Sequence, residues 1–410
     1  MRSWIGLRIQ HVKLLQAVPI MPRLGRRGRL AAEATTDFGK GDRMSKPHVI
    51  SLILILCFPA MGWAGQNATP TKDAAPPPAS KPRTPVLMQR PPARPDTGDG
   101  LMKLDVLVTD PSGQPASGLQ LSDFTLLDNG QPAKIRSFHV YDGISAKPDP
   151  PVKVILLVDF VNMPFGQVSF LRQEIAKFLR QDRGHLAQPV EIYLFTSEGV
   201  KFQPRPPTDG NALAADLDKA DNSQRRVSVV NGEMERLQLS LRWLAIIAHN
   251  EAMKPGRKLL LWAGPGWPML LGLHYDTTGK GQRQLFDSII ALSTALRQAR
   301  IALYSIAQGP PDPSAFLYRD YLQGVKTPEK ADAPNLSLKV LALHSGGRVL
   351  DPDNDLKAQI DTCVQDAGAY YTLSFDPPRT ETPDQYHDLK VTVGKPGFTA
   401  RTSSGYYNQP

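Results

Sequence analysis

Residues 153–159, Lys-Val-Ile-Leu-Leu-Val-Asp, constrain the fold of this chain more than any other stretch. Residues 154–158 are apolar without interruption, and Val154, Ile155 and Val158 are β-branched. A strand with apolar side chains on both faces belongs inside a parallel sheet that is covered on both sides. The run ends in Asp159, and Pro164 and Gly166 mark a turn before an amphipathic helix. A carboxylate at the C-terminal end of a central strand stands where open α/β sheets place their ligands. The alternative is that Asp159 only caps the next helix or fixes the turn, and the sequence leaves both readings open.

The middle of the chain continues the alternation. Residues 164–181 place Val168, Leu171, Ile175, Phe178 and Leu179 on one helical face. A strand is expected at 190–195, an antiparallel edge at 200–203, a short helix at 213–217 and a long one at 232–253. A second buried strand follows at 258–263, then a helix through Leu285, Ile289, Leu292 and Leu296, which feeds a strand at 301–306. After a Pro-rich loop (309–334) come a helix ending at His344, a short strand at 348–350 and a last helix at 355–365. Such a series predicts a doubly wound, mainly parallel α/β sheet with helices on both faces.

The flanks read differently. Residues 101–109 alternate, with Leu104, Val106 and Val108 on one side, as a half-buried strand does. A second strand is expected at 124–127, a hairpin at Asp128-Asn-Gly and a third strand at 134–141. Three strands make a thin sheet that needs a partner. Alternating stretches at 369–375, 386–393 and 398–403 supply one. The two ends are therefore expected to meet in a small β-sandwich-like unit (101–145 with 368–407), with the α/β domain (150–367) inserted between them.

The formal charge of +9 looks like a nucleic-acid signal only until it is located. Residues 1–43 hold nine Lys/Arg against three Asp/Glu, and Lys46 adds another positive charge, which leaves +2 for residues 65–410. No nucleic-acid partner is implied. From Met44 a short basic start, an apolar run and a small-residue site ending at Ala64 read as a secretory signal. The apolar run is too short to span a bilayer comfortably, so the chain is not expected to remain in the membrane after cleavage. Residues 1–43 do not belong to that design and are expected to be a non-native extension ahead of a true start at Met44. Residues 66–99 carry nine prolines and are expected to form an extended linker, assigned as 65–100. Of the two cysteines, Cys57 lies in the signal, so the exported chain would keep Cys363 as a free thiol.

Several chemistries find no motif. Neither G-x-G-x-x-G nor G-x-x-x-x-G-K-[ST] occurs, nor does the G-x-S-x-G elbow, and the eight histidines show no zinc spacing. His344 beside Ser345 suggests a triad, but Ser-Gly-Gly after a helix is more simply a C-terminal cap. Trp262, Trp267 and Pro268 flank the end of the second buried strand. Trp267 on its Gly264-Pro-Gly266 loop is either a contact anchor or a lid packed on the sheet.

The segments 119–130, 157–162, 256–268, 345–348 and 370–375, in that order, resemble the VWFA-related family of exported, acidobacterial-type bacterial proteins. These contain a von Willebrand factor type A (VWA) domain. The resemblance covers residues 101–407 and implies a VWA-like, Rossmann-like sheet. It also implies a divalent-cation site, generally D-x-S-x-S with a Thr and an Asp from two further loops. Only Asp159 matches, since Val161 and Met163 stand at the serine positions. The implied site is therefore a degenerate one for Mg²⁺, with Asp159, Asn162 and Thr208 as its candidate ligands. The plainer alternative is that Asp159 and Asn162 hold the loop through backbone hydrogen bonds.

These readings converge on an exported, non-enzymatic interaction or adhesion module. It would bind a protein or cell-envelope component at the C-terminal rim of its sheet, through Asp159, Asn162, Gly264, Gly266 and Trp267. It would act in the periplasm, at the outer surface or beyond the cell. The rival is a metal-assisted hydrolase using Asp159.

Overall fold

The computed structural model describes residues 100–143, 146–201, 209–219, 232–269, 278–306, 313–378 and 382–408. The expectations for residues 1–43, for the signal at 44–64, for all but the last residue of the linker and for Thr208 lie outside the described residues.

The first four strands are β1 (Met102–Thr109), β2 (Phe124–Asp128), β3 (Gln131–Pro132) and β4 (Ile135–Tyr141). They are followed by β5 (Lys153–Asp159), α1 (Phe165–Arg180), β6 (Val190–Thr196), β7 (Gly199–Lys201), α2 (Gly210–Lys219) and α3 (Gly232–Ala252). Next come β8 (Lys258–Ala263), α4 (Gly279–Gln298), β9 (Ile301–Ile306), α5 (Leu338–His344), β10 (Val349–Leu350) and α6 (Leu356–Gln365). The chain closes with β11 (Tyr370–Phe375), β12 (Tyr386–Val393), β13 (Thr399–Arg401) and β14 (Gly405–Tyr407).

The apolar run of residues 154–158 is the centre of the molecule. Strand β5 lies between β8 and β6 in a six-stranded sheet of order β10-β9-β8-β5-β6-β7. All neighbours run parallel except β7, which turns back antiparallel on β6. Alternate β5 residues serve two cores. Ile155 and Leu157 pack with α3 and α4, whereas Val154, Leu156 and Val158 pack with α1, α2 and α6. All five are fully buried, and each contributes roughly 1.5–3 kcal/mol by leaving water. Helices on both faces leave no solvated side, which is why the strand shows no polar alternation. The sheet edges are short, two residues in β10 and three in β7, so few strand-pairing groups stay open.

Two antiparallel sheets complete the fold, ordered β13-β1-β11-β4 and β14-β12-β2-β3. Each contains strands from both ends of the chain. Leu104, Val106, Val108, Tyr371, Leu373 and Phe375 from one sheet meet Phe124, Leu126, Leu389, Val391 and Tyr406 from the other in a third core. Leu107 and Tyr370 point the opposite way, into the α/β core under α1 and α6.

The three N-terminal strands do not share a sheet, contrary to expectation. The Asp128-Asn-Gly turn does form, with Asn129 at φ 49° and Gly130 at φ 77°, the left-handed pair that a two-residue hairpin needs. It joins β2 to the two-residue β3, and β4 instead pairs with β11 in the facing sheet. Pro132 has no N–H to extend the ladder, which limits β3 to the edge. Strand β14 leaves no mark in the sequence because three residues are too few to show a period. Its Tyr406 enters the sandwich core and its Tyr407 enters the α3/α4 core, so the strand fastens both.

Two carboxylates, the buried Asp366 and the half-buried Asp105, link the layers. Asp366, after α6, accepts from the Tyr304 hydroxyl of β9 at 2.8 Å and from Arg348 at 3.0 and 2.7 Å, and it also pairs with Arg401 of β13. Asp105 of β1 holds Arg300 through two bonds of 3.0 and 2.5 Å and accepts from Thr372 at 2.9 Å.

Candidate functional site

The C-terminal ends of β5 and β8 bring Asp159, Asn162, Trp262 and Gly264 together. Asp159 is wholly buried and accepts four hydrogen bonds. The backbone N–H groups of Val161 and Asn162 donate to Oδ1 at 3.0 and 2.9 Å. Asn162 Nδ2 and Trp262 Nε1 donate to Oδ2 at 2.8 and 2.7 Å. Burial pushes the Asp159 carboxyl above its ordinary range, and the bonds from Asn162, Trp262 and Val161 pull against that shift. All four contacts are donors, so they are suited to an ionised acceptor.

The local sequence explains this arrangement. An Asp followed by residues that turn the chain accepts from N–H groups two and three positions on, the Asx-turn geometry. Asn162 extends the network, since its Nδ2 also donates to Ser240 Oγ of α3 at 3.1 Å. Gly264 is needed for the approach of β8. Its φ is 150°, and a Cβ there would lie 2.8 Å from the Asp159 Cβ. Only glycine lets the two strand ends pass this closely.

Trp267 is the lid, not an exposed anchor. It is 5 % exposed, its Nε1 donates to the Leu336 carbonyl at 2.9 Å, and it meets Trp262 edge to face at 5.1 Å. Trp262 in turn meets Phe195 at 5.5 Å. Gly266, at φ 73°, turns the loop onto Leu338, and a Cβ added there would lie only 2.7 Å from Leu338 Cδ2. The loop after β8 is thus folded down and pegged to the segment at 333–336.

The residues do not fit a divalent cation. A hard cation takes six or more oxygens, and Asp159 already gives both of its oxygens to N–H donors. Val161 and Met163, at the serine positions of the related pattern, are apolar packing residues in the two cores. Asn162 Oδ1 is buried without a hydrogen-bond partner and is one oxygen only. Among the described residues no group of three or more His, Cys, Asp or Glu is placed to hold a metal. Asp159 and Asn162 therefore do not serve as metal ligands in this arrangement, and Thr208 lies outside the described residues.

His344 bonds a serine, though not its neighbour: Nδ1 lies 2.6 Å from Ser404 Oγ. Ser345 instead accepts from the Leu303 N–H and donates to the Ala342 carbonyl. Gly346, at φ 80°, ends α5 as a helix cap. Cys363 is free and buried, and burial pushes its thiol up, which makes it unreactive.

Sequence reasoning does not single out Ser240 or assign a partner to Trp262, although each carries a signal. Ser240 sits within the apolar face formed by Leu237, Leu241 and Leu244, where a hydroxyl needs an acceptor or donor. Trp262 is the one indole in an aliphatic strand, and a buried indole N–H needs an acceptor.

The sequence matches no family model and no curated protein. Solved structures similar to it include the human COPII-coat protein Sec24c, with TM-score 0.30 and 8% identity over 63% of this chain and 43% of that one. Another is the pilus adhesin SpaC from Lactobacillus rhamnosus GG in its open conformation, with TM-score 0.29 and 9% identity over 70% of this chain and 48% of that one. The chain thus spans less than half the length of either, and agreement at this level carries no argument about function.

Proposed function

We propose that this chain is an exported, non-enzymatic VWA-like module that docks a protein or envelope component beside the C-terminal rim of its parallel sheet. In this reading residues 44–64 are a secretory signal and 65–100 a tether. Residues 150–367 are the docking domain, set into a β unit made of 101–145 and 368–407.

One observation carries the proposal. The rim is a pinned platform with an exposed apolar pair beside it. The 3₁₀ segment Pro313–Tyr321 follows β9 and packs on α5 and on the segment at 333–336 that holds Trp267. It presents Phe316 and Leu317 at 52 % and 39 % exposure, with the Arg319 guanidinium 4.9 Å from the Phe316 ring centre. Exposed aromatic residues with arginine are the types enriched at protein interfaces. Asp159 supports the docking surface by fixing the loop, in place of coordinating a cation that bridges to a partner.

The test compares wild type with a Phe316→Asp, Leu317→Asp variant, immobilised and offered solubilised envelope proteins of the source organism in EDTA. The expected result is a defined partner retained by wild type and lost by the variant. Retention that requires Mg²⁺, or equal retention by both proteins, would contradict the proposal.

A further inference from the structure

Two adjoining cavities share Leu296, Arg297, Ser345 and Ser403, one at the N-terminal end of the sheet and the other running from it along α4 and α5. One is cationic. Lys103, Arg257, Arg297 and Arg300 line it against a single carboxylate, Asp105, which is already engaged by Arg300 and Thr372. The other lies between α4, α5 and β14, and Ile289, Val325, Leu341, Tyr386 and Tyr407 give it apolar walls. His344 also lines it, and burial holds that imidazole below its ordinary range, so the compartment carries no histidine charge at neutral pH.

Arg257 decides what the cationic cavity is suited to. It is 2 % exposed, and its ring of contacts is short: Nη1 donates to the Asp366 carbonyl at 2.7 Å, and the guanidinium stacks on Tyr370 at 4.8 Å. Among the described residues no acceptor takes its Nε–H or its Nη2 N–H groups. A guanidinium has five donors, and those of Arg257 without a protein acceptor open onto the cavity, where an oxyanion or water can accept. Each cavity has about 30 Å³ of free space, enough for roughly two water-sized groups. That matches an oxyanion head in one compartment and a short chain in the other.

We propose that the paired cavities bind a small amphiphilic anion, with its carboxylate or similar oxyanion on Arg257 and its short apolar chain against Leu296 and Tyr407. Such a ligand would brace β1, the end of α4 and the β13–β14 turn against each other. Neither Phe316 nor Leu317 lines the cavities, so ligand occupancy and the docking of an envelope partner are read by separate measurements.

The test titrates the full chain with propanoate, 1-propanol, propylammonium and inorganic phosphate at matched ionic strength, followed by calorimetry and by thermal shift. Propanoate is expected to bind saturably with a Kd of about 1 mM, an affinity within reach of a ligand this small. Propanol and phosphate are expected to bind at least tenfold more weakly, and propylammonium not at all. Arg257→Gln is expected to weaken propanoate tenfold or more. Should that variant fail to fold, Arg297→Glu at the shared wall tests the same charge, with an expected loss of tenfold or more. Absence of saturable propanoate binding, as for cavities holding water only, would overturn the proposal. Equal binding of propanol, of phosphate, or of propanoate to a folded Arg variant would also overturn it.

Discussion

Trp262 Nε1 donates to Asp159 Oδ2 at 2.7 Å, from one parallel strand to the next. This bond ties the end of β8 to the acidic end of β5 and makes the indole part of the same network as Asn162 and Ser240. A rim that works as a cation-independent platform depends on it.

Replacing the acceptor tests that network directly. Asp159→Asn presents an amide N–H₂ to donors that need oxygen, and it should cost about 2–4 kcal/mol of unfolding free energy. Trp262→Phe keeps an aromatic ring but leaves Asp159 Oδ2 one donor short, with an expected loss of about 1–3 kcal/mol. Urea unfolding at neutral pH measures both. Changes below about 0.5 kcal/mol, the range of ordinary surface substitutions, would show that the bonds do not hold the strand ends.

The close approach of β8 makes its own prediction. Gly264→Ala would place a methyl 2.8 Å from the Asp159 Cβ on a backbone at φ 150°, and neither neighbour is a free side-chain end. A destabilisation of about 2–4 kcal/mol is expected. Gly266→Ala meets chiefly the flexible tip of Leu338 and should cost about half as much. Equal, negligible effects in thermal melts would refute the geometry.

Acid should weaken the links between layers. Burial alone would raise the Asp366 carboxyl, but the bonds from Arg348 and the charge of Arg401 outweigh it and hold the carboxyl below its ordinary range. Asp105 is likewise raised by burial and lowered further by Arg300. For both, the unfolded chain takes up its proton first as the pH falls. Their contribution is complete above the unfolded value of about 4 and is lost as the pH drops through the lower folded values. Unfolding curves between about pH 5 and pH 2 should show this loss, and Asp366→Asn should flatten it. An unchanged acid limb in that variant would contradict the assignment.

Lys258 gives a slope of the same sign at alkaline pH. Its side chain is buried, and Nζ donates to the Ala299 carbonyl at 3.1 Å and to the Lys254 carbonyl. Desolvation pushes its ammonium down to about 8, with Glu251 opposing and Lys153, Arg300 and Lys254 adding to the fall. Between about pH 8 and about 10.4 the unfolded chain therefore binds more protons than the folded one, and stability rises with pH. A gain of about 1–2 kcal/mol is expected across that window and should vanish in Lys258→Gln. The same gain in the variant would rule out Lys258 as its source.

Much of the α/β scaffold is legible in the sequence because burial leaves a periodic record. The run at 154–158 and the helical face through Val168, Leu171 and Ile175 announce a covered parallel sheet without any structure. The pairing of β4 with β11 is not legible, because alternation shows which face of a strand is buried and not which strand lies beside it. At the site, Asp159 and Asn162 stand out by their place after the strand. Trp262 and Ser240 come from distant segments, and only the sheet register and the packing of α3 bring them to the carboxylate. Arg257 illustrates the same limit: a guanidinium beside Lys258 reads as ordinary surface charge until the fold encloses it.

Calorimetric titration of the full chain with Mg²⁺ is the most direct test of the central claim, that Asp159 is occupied by N–H donors and supports a docking surface without a metal. No saturable binding is predicted up to about 10 mM, well above the range of dedicated cation sites. The same flat response is predicted from Asp159→Ala wherever that variant stays folded. Stoichiometric Mg²⁺ binding by wild type that disappears in the variant would contradict the claim.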